Sequence, residues 1–345
     1  MEILILNQDE VTALLPMGEC MDVMADALRA LARGDAIVPL RTVIRIPNGP
    51  NAFGAMPAYL GAPGAMGIKV ISVFPENSRD NLDSHQGAVL LFEVERGQLV
   101  AIMDATAITA IRTAAVSGVA TRALAREDAL DLAILGAGAQ ALTHLEAMCL
   151  ARPIRRVRVW SRSSERARRL ALQASDLCDI PVDSVGSPSE AVAGAAIVCT
   201  VTAAREPVLL GEWLEPGTHV NAVGASLPSA RELDSEAVLR SRLYVDRRES
   251  ALNEAGDFLI PRQEGRITDS HIVGELGDLL LGRVPGRRSR DEITVFKSLG
   301  FAVEDVAAAQ LVYSKAIAQR VGARVGLAAE KAEKAEKGRS AQRKP

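Results

Sequence analysis

The chain is poor in aromatic side chains, which make up only 3% of its 345 residues. Its interior must therefore be built from Ala, Val, Leu and Ile, a composition that suits helices packed on a parallel sheet. Cysteine is scarce as well. Cys20, Cys149, Cys178 and Cys199 stand far apart with no CxxC pair. That spacing argues against a zinc site, or any metal site, and against a disulfide framework; it favours a reducing, cytoplasmic setting. No stretch reaches about 18 uninterrupted apolar residues, and no positive segment precedes the short apolar run Ile3 to Leu6. Neither a membrane span nor a secretion signal is expected. There is no excess of one charge either. The formal net charge is -3 and the basic residues are scattered, so a small molecule is expected as partner rather than nucleic acid.

Core material, by contrast, is ample, with 48% hydrophobic residues. The length exceeds what one core usually serves, so two domains are expected. Residues Ile3 to Leu6 read as a strand, and helical spacing follows as far as Leu31, broken at Pro16. From Val38 to Leu99, β-rich runs at Arg41 to Ile46, Gly67 to Phe74, Ala88 to Glu93 and Gln98 to Met103 alternate with Pro and Gly clusters. They predict a mostly antiparallel sheet. A helix from about Ala105 to Ala125 bridges to a second texture. There, apolar strands at Leu130 to Leu135, Arg156 to Trp160, Ile197 to Thr200, His219 to Ala222 and Leu243 to Val245 alternate with helical stretches. This is the βαβ pattern of a doubly wound parallel sheet. A last strand at Thr294 to Phe296 and a helix from Ala302 to Ala318, returning to the first domain, complete the reading. The expected class is α/β: a Rossmann sheet (116–300) plus an α+β domain formed by both chain ends (1–115 with 301–326). Residues 327–345, a short charged repeat, read as a disordered tail.

Gly136-x-Gly138-x-x-Ala141 follows an apolar strand and precedes a helix rich in Ala and Leu. Gly136 permits the tight turn, Gly138 lets backbone approach a pyrophosphate, and Ala141 keeps the helix close to the sheet. The helix amino terminus at Ala139 and Gln140 offers free N–H groups to phosphate. At the end of the next strand an NAD site usually places Asp or Glu, whereas this chain reads Trp160-Ser161-Arg162-Ser163. Arg162 can pair with a 2'-phosphate, and Ser161 and Ser163 can donate to it, which points to NADP(H) with NAD(H) as the other possibility. One charge-assisted bond is worth about 1.5–3 kcal/mol, on the order of tenfold to a hundredfold in preference. Thr200 and Thr202, at the end of the following strand, are further candidates for cofactor contact.

Three basic residues stand in apolar or small-residue surroundings: Arg41, Lys69 within a strand pattern, and Arg112 within a helix. Buried cations need an anion. That anion is either a substrate carboxylate or an internal partner such as Glu76, Asp83 or Asp104, and chemistry alone leaves both open.

Four stretches carry a family resemblance: the run Asp104 to Ala115, the segment Met56-Pro57-Ala58-Tyr59, the Gly136 fingerprint, and the run Val295 to Asp305. Together they resemble the ornithine cyclodeaminase/mu-crystallin family, in matching order over nearly the whole chain before the tail. The resemblance implies a homodimer whose split first domain holds substrate against a nicotinamide carried by the Rossmann domain. It implies that Arg41, Lys69 and Arg112 hold the α-carboxylate and that Ser84 is a hydroxyl-bearing pocket position. Tyr59 and His85 are further pocket candidates. Two departures separate the chain from the cyclodeaminases. Ser226 replaces the Asp that acts on the amino group, and Gly54 replaces the Glu that holds the distal amine. The Gly224-Ala225-Ser226 form is similar to the ketimine reductases of the mu-crystallin branch. The implied activity is NADPH-dependent reduction of 1-pyrroline-2-carboxylate or 1-piperideine-2-carboxylate, with Lys69 or a water held by Ser226 as proton source. The rivals are a lyase of the same family, such as a cis-3-hydroxyproline dehydratase or, with less support, ornithine cyclodeaminase itself, and a non-catalytic NADP-binding crystallin.

Overall fold

The computed structural model describes residues 2–74, 76–77 and 82–327. The charged repeat from residue 328 onward, and with it all but the first residue of the expected tail, lies outside the described residues. The protein is α/β, and its described residues form two eight-stranded sheets.

Every strand pair in the second sheet is parallel. Its order is Val182–Ser184, Arg156–Trp160, Asp131–Leu135, Ile197–Thr200, His219–Ala222, Ile293–Lys297, Ser241–Val245, Ile272–Glu275. The chain enters at Asp131–Leu135, winds outward to one edge, then returns to build the other side. The order therefore reverses between Asp131–Leu135 and Ile197–Thr200, and ligands in such sheets bind at the carboxyl ends of the strands at that reversal. The inner strands Ile197–Thr200, His219–Ala222 and Ile293–Lys297 are buried at every position, as strands covered on both faces must be. Two short edge strands, Val182–Ser184 and Ile272–Glu275, are too brief to register as a hydrophobic pattern.

The first sheet is mixed. Its order is Ala323–Gly326, Glu2–Leu6, Leu99–Asp104, His85–Phe92, Ala65–Val73, Ala52–Leu60, Ala36–Ile37, with Thr42–Arg45 also paired to Ala52–Leu60. Only Glu2–Leu6 and Leu99–Asp104 run parallel. The strand Ala52–Leu60 escapes the sequence patterns because Pro57 lies inside it, and proline cannot donate to a ladder. Here it need not. Thr42–Arg45 pairs with residues 52–55 and Ala36–Ile37 with 59–60, so on that side Pro57 falls in the gap between two partners.

Two helices tie the sheets together. Ala105–Leu124 starts where Asp104 Oδ1 accepts the Ala107 N–H at 2.7 Å, and Ala and Gly along its length let neighbours pack closely. It runs from the first sheet to the second, touching His85–Phe92 near its start and the parallel strands His219–Ala222 and Ile293–Lys297. Ala302–Gln319 leaves the end of Ile293–Lys297 and packs on Ala52–Leu60 and Ala65–Val73. Among the described residues no helix is long and apolar enough to cross a membrane.

Candidate active site

Lys69 and Arg112 are brought together by one carboxylate. The Lys69 Nζ lies 2.9 Å from Asp305 Oδ1, and Arg112 Nε donates to the same oxygen at 2.8 Å. Arg112 Nη1 donates to Glu304 Oε2 at 2.6 Å, and Lys69 reaches Thr109 Oγ1 at 3.3 Å. Both cations are almost sealed, with 2% and 4% of their surface exposed. Arg41 completes the group from the mouth of the site. Its Nη2 donates to the carbonyls of Leu299 and Gly300, at 3.1 and 2.8 Å, and pairs with Glu254 at 2.9 Å. The turn Ser298-Leu299-Gly300 is itself fixed by Asp246 Oδ2, which accepts the N–H groups of Leu299 and Gly300. Gly300 has φ +69°, and a Cβ there would collide with the Arg112 guanidinium. Only glycine lets the turn lie against that cation.

The three cations thus meet at the carboxyl end of Ile293–Lys297. Their partners are Asp305, Glu304 and Glu254, not the acids Glu76, Asp83 and Asp104 considered from the sequence. Asp104 is spent on capping the bridging helix. The acid pair was hidden in plain view: Glu304-Asp305 opens an Ala-rich helix, where carboxylates ordinarily complement the helix dipole. Electrostatics follow from the burial. Desolvation pushes Lys69 down to about 8, with Asp305 opposing the shift and Arg112 and Arg41 adding to it. Burial pushes Glu304 up to about 8. For Asp305 burial acts upward, but Arg112 and Lys69 outweigh it and hold the carboxyl below its usual range. Arg112 gives Nε and Nη1 to the two acids, which leaves Nη2 to donate to a second carboxylate.

The glycine turn lies at the point of order reversal. Gly136 adopts φ +127°, and an added Cβ would come within 2.6 Å of the Val201 carbonyl. Gly138 is the N-cap of helix Ala139–Ala151, has no side-chain cap, and has no atom within 4 Å of where a Cβ would stand. Its open face and the uncapped N–H groups of Ala139 and Gln140 make a cradle suited to a pyrophosphate. Ala141 is fully buried against the sheet. At the end of Arg156–Trp160, Arg162 is exposed, Ser161 Oγ accepts the Ser163 N–H at 3.4 Å, and Ser163 Oγ caps helix Ser164–Cys178 by accepting the Arg166 N–H at 3.3 Å. Both hydroxyls can still donate outward.

The remaining sequence candidates are placed differently. Thr200 is fully buried and its hydroxyl donates to Glu232 Oε2 at 2.8 Å, so it supports the nucleotide cleft from behind and cannot line it. Thr202 also gives its hydroxyl to Glu232, at 2.7 Å. Ser226 is exposed on the loop after His219–Ala222 and forms no side-chain hydrogen bond with the described residues; it is not joined to the cation group. Ser84 pairs with His85 Nδ1 at 2.9 Å. His85 faces Val73, on the Lys69 face but four residues further along the strand, and Tyr59 lies on the opposite face of the sheet.

Residues 1–320 match the ornithine cyclodeaminase/mu-crystallin family. The ketimine reductase mu-crystallin of Mus musculus is 44% identical over 280 residues, 81% of this chain and 85% of its own. The Δ1-pyrroline-2-carboxylate reductase of Thermococcus litoralis, solved with NADH and L-proline, superimposes with a TM-score of 0.92 at 41% identity, over 94% of this chain and 100% of its own. An archaeal alanine dehydrogenase dimer, solved with bound NAD, superimposes with a TM-score of 0.90 at 33% identity, over 95% of this chain and 100% of its own. With the motifs in order and the match covering residues 1–320, the chain belongs to the ornithine cyclodeaminase/mu-crystallin family.

Proposed function

We propose that the protein is an oxidoreductase of C=N bonds that reduces a five- or six-membered cyclic imino acid to the cyclic amino acid with a nicotinamide dinucleotide. The observation that carries this reading is the gathering of Arg41, Lys69 and Arg112 at the carboxyl edge of the same parallel sheet whose Gly136 turn suits a pyrophosphate. The ketimine and pyrroline-2-carboxylate reductases among its relatives support it. The dinucleotide supplies a hydride when bound. Gly136, Gly138, Ala139 and Gln140 would hold its phosphates. Arg112 Nη2, with Lys69, fixes the substrate carboxylate and so orients the imine carbon; Arg41 at the mouth guides the anion in. The ring nitrogen must carry a proton to accept hydride well, and Lys69 Nζ holds protons beside the carboxylate position. The first sheet, with residues 1–115 and 301–326, supplies the carboxylate clamp, and residues 116–300 supply the dinucleotide half. Purified protein should oxidise NADPH when given 1-pyrroline-2-carboxylate or 1-piperideine-2-carboxylate. Binding of NADPH without turnover of either ring would sink the reading.

The Ser161-Arg162-Ser163 turn has no carboxylate to receive ribose hydroxyls and one cation to receive a phosphate, so NADPH is the preferred cofactor. Arg162→Ala should weaken NADPH about tenfold to a hundredfold and leave NADH nearly unchanged, as read by equilibrium titration. Tighter binding of NADH by the unaltered protein would reverse the assignment.

The working unit is a homodimer within a reducing cytoplasm. One face of the first sheet is covered by Ala302–Gln319; the other leaves Phe53, Tyr59 and Met66 exposed at 42%, 37% and 37%, with Pro57, Ile68, Val70 and Leu90 between them. A contiguous apolar sheet face of that kind marks an interface. The isologous face of a second copy fits it, as in the dimeric alanine dehydrogenase relative. Sedimentation should give two chains, and Phe53→Asp should shift the mass toward one; a monomeric unaltered protein would refute this.

A further inference from the structure

We propose that Glu232, which touches neither substrate nor cofactor, is the positioning residue that fixes the two loops forming the nucleotide wall opposite the glycine turn. The inference rests on reading the Gly136 turn as a dinucleotide site.

Glu232 has no exposed surface, and its carboxylate accepts four hydrogen bonds. Oε2 takes the Thr200 hydroxyl at 2.8 Å and the Gly224 N–H at 2.6 Å; Oε1 takes the Thr202 N–H and hydroxyl, both at 2.7 Å. These donors sit at the carboxyl ends of Ile197–Thr200, the strand next to Asp131–Leu135, and of His219–Ala222, the strand beyond it. The loops are pressed together, since a Cβ on Gly224 would run into the Thr202 backbone. The Val201 carbonyl, between the two anchored threonines, is the same atom that leaves room only for glycine at Gly136. One carboxylate therefore sets the spacing of the glycine turn and of both neighbouring loops.

The carboxylate is in turn held from behind. Asp257 Oδ1 accepts the N–H groups of Glu232 and Leu233 at 2.7 and 2.9 Å, and Asp257 Oδ2 pairs with Lys297 Nζ at 2.9 Å. Lys297 ends the strand that leads to Leu299 and Gly300, whose carbonyls receive Arg41. Buried hydrogen bonds, one ion pair and the backbone after Lys297 thus join the nucleotide loops to the turn beside the substrate cations. Four donors need an acceptor with two oxygens. A glutamine offers one oxygen and turns an NH2 toward another donor, so one loop must move. Since alignment of hydride donor and acceptor depends on small displacements, the step should suffer while the carboxylate clamp is untouched.

The test uses the full chain carrying Glu232→Gln or Thr202→Val, with NADPH dissociation constants from fluorescence titration, kcat and KM for 1-pyrroline-2-carboxylate, and melting temperature. Glu232→Gln should weaken NADPH about tenfold or more and lower kcat about tenfold or more, with KM for the imine within about threefold. Thr202→Val, which removes one donor, should move the same quantities in the same direction by less. Unchanged NADPH affinity and kcat in folded variants, even with a lowered melting temperature, would overturn the proposal and leave Glu232 a purely structural residue. If Glu232→Gln does not fold, Thr202→Val decides alone. An unaltered protein that binds NADPH but turns over no imine refutes the proposed activity while the dissociation constants still decide the role of Glu232. An unaltered protein that binds no dinucleotide refutes both.

Discussion

Arg112→Met is expected to lower stability by about 3–5 kcal/mol and to remove at least about a hundredfold of kcat/KM, the first because breaking a buried ion pair leaves an acid without its partner. Asp305 would keep Lys69, at 2.9 Å, but Glu304 would lose the only hydrogen bond its side chain makes among the described residues; there its Oε1 is already buried without a partner. The loss should depend on pH, and its sign can be worked out. Glu304 is pushed up to about 8 by burial, with Arg112 opposing that shift, so removing Arg112 raises it further. A carboxyl whose folded pKa lies above its unfolded value stabilises most below the unfolded pKa, near 4.5, and loses that contribution as pH rises. Destabilisation by Arg112→Met should therefore grow between pH 6 and pH 8.5. Urea denaturation at the two pH values measures it, and equal stability of variant and unaltered protein at pH 8.5 would contradict the ion-pair account. Arg112→Lys should not restore activity, because an ammonium has one nitrogen where the guanidinium uses two for Asp305 and Glu304 and keeps a third for substrate.

The parts of the architecture legible in the sequence are those in which local pattern and tertiary role agree. The strands around Ile134, Val159, Val198 and Val220 are buried on both faces, and apolar runs of that kind announce themselves. The glycine turn is legible because its steric demand is local: φ +127° at Gly136 and an approaching carbonyl. Arg41, Lys69 and Arg112 stood out because cations in apolar patterns demand an explanation. What escaped notice was tertiary. Pro57 is compatible with a strand only because two different strands share its edge, and nothing near Pro57 in sequence encodes that gap. Glu304 and Asp305 look like ordinary first-turn acids until the helix is seen to start beneath Lys69 and Arg112. The place of Thr200 at a strand end points to the cleft, but the buried Glu232, more than 30 residues later, claims its hydroxyl. A strand end marks where a ligand binds; which way a given hydroxyl points depends on partners distant in sequence.

Lys69→Met should separate function from stability in a way that Arg112→Met cannot. Removing Lys69 leaves Asp305 still bonded to Arg112 Nε at 2.8 Å, and the ammonium lost was costly to bury, as its downward shift to about 8 records. Removing one member of a buried ion pair usually costs about 3–5 kcal/mol, but here the carboxylate keeps a second cation, so the loss should be smaller than for Arg112→Met. We expect stability at pH 7 to fall by about 1–3 kcal/mol, less than for Arg112→Met, while kcat/KM for the imino acid falls about a hundredfold because the substrate carboxylate loses a desolvated cation. The pH profiles should differ in kind. A lysine whose folded pKa is depressed makes the folded protein bind fewer protons than the unfolded chain between about pH 8 and 10.5, so the unaltered protein gains stability across that window and the variant lacks the gain. Activity should run the other way: kcat/KM of the unaltered protein declines as Lys69 loses its proton through about pH 8, and the variant shows no such limb beyond the titration of the imine itself. Urea denaturation and initial rates from pH 6 to 10 give both curves. A Lys69→Met protein with the unaltered pH limb, or with undiminished kcat/KM, would remove Lys69 from the carboxylate clamp and leave Arg112 to hold the substrate alone.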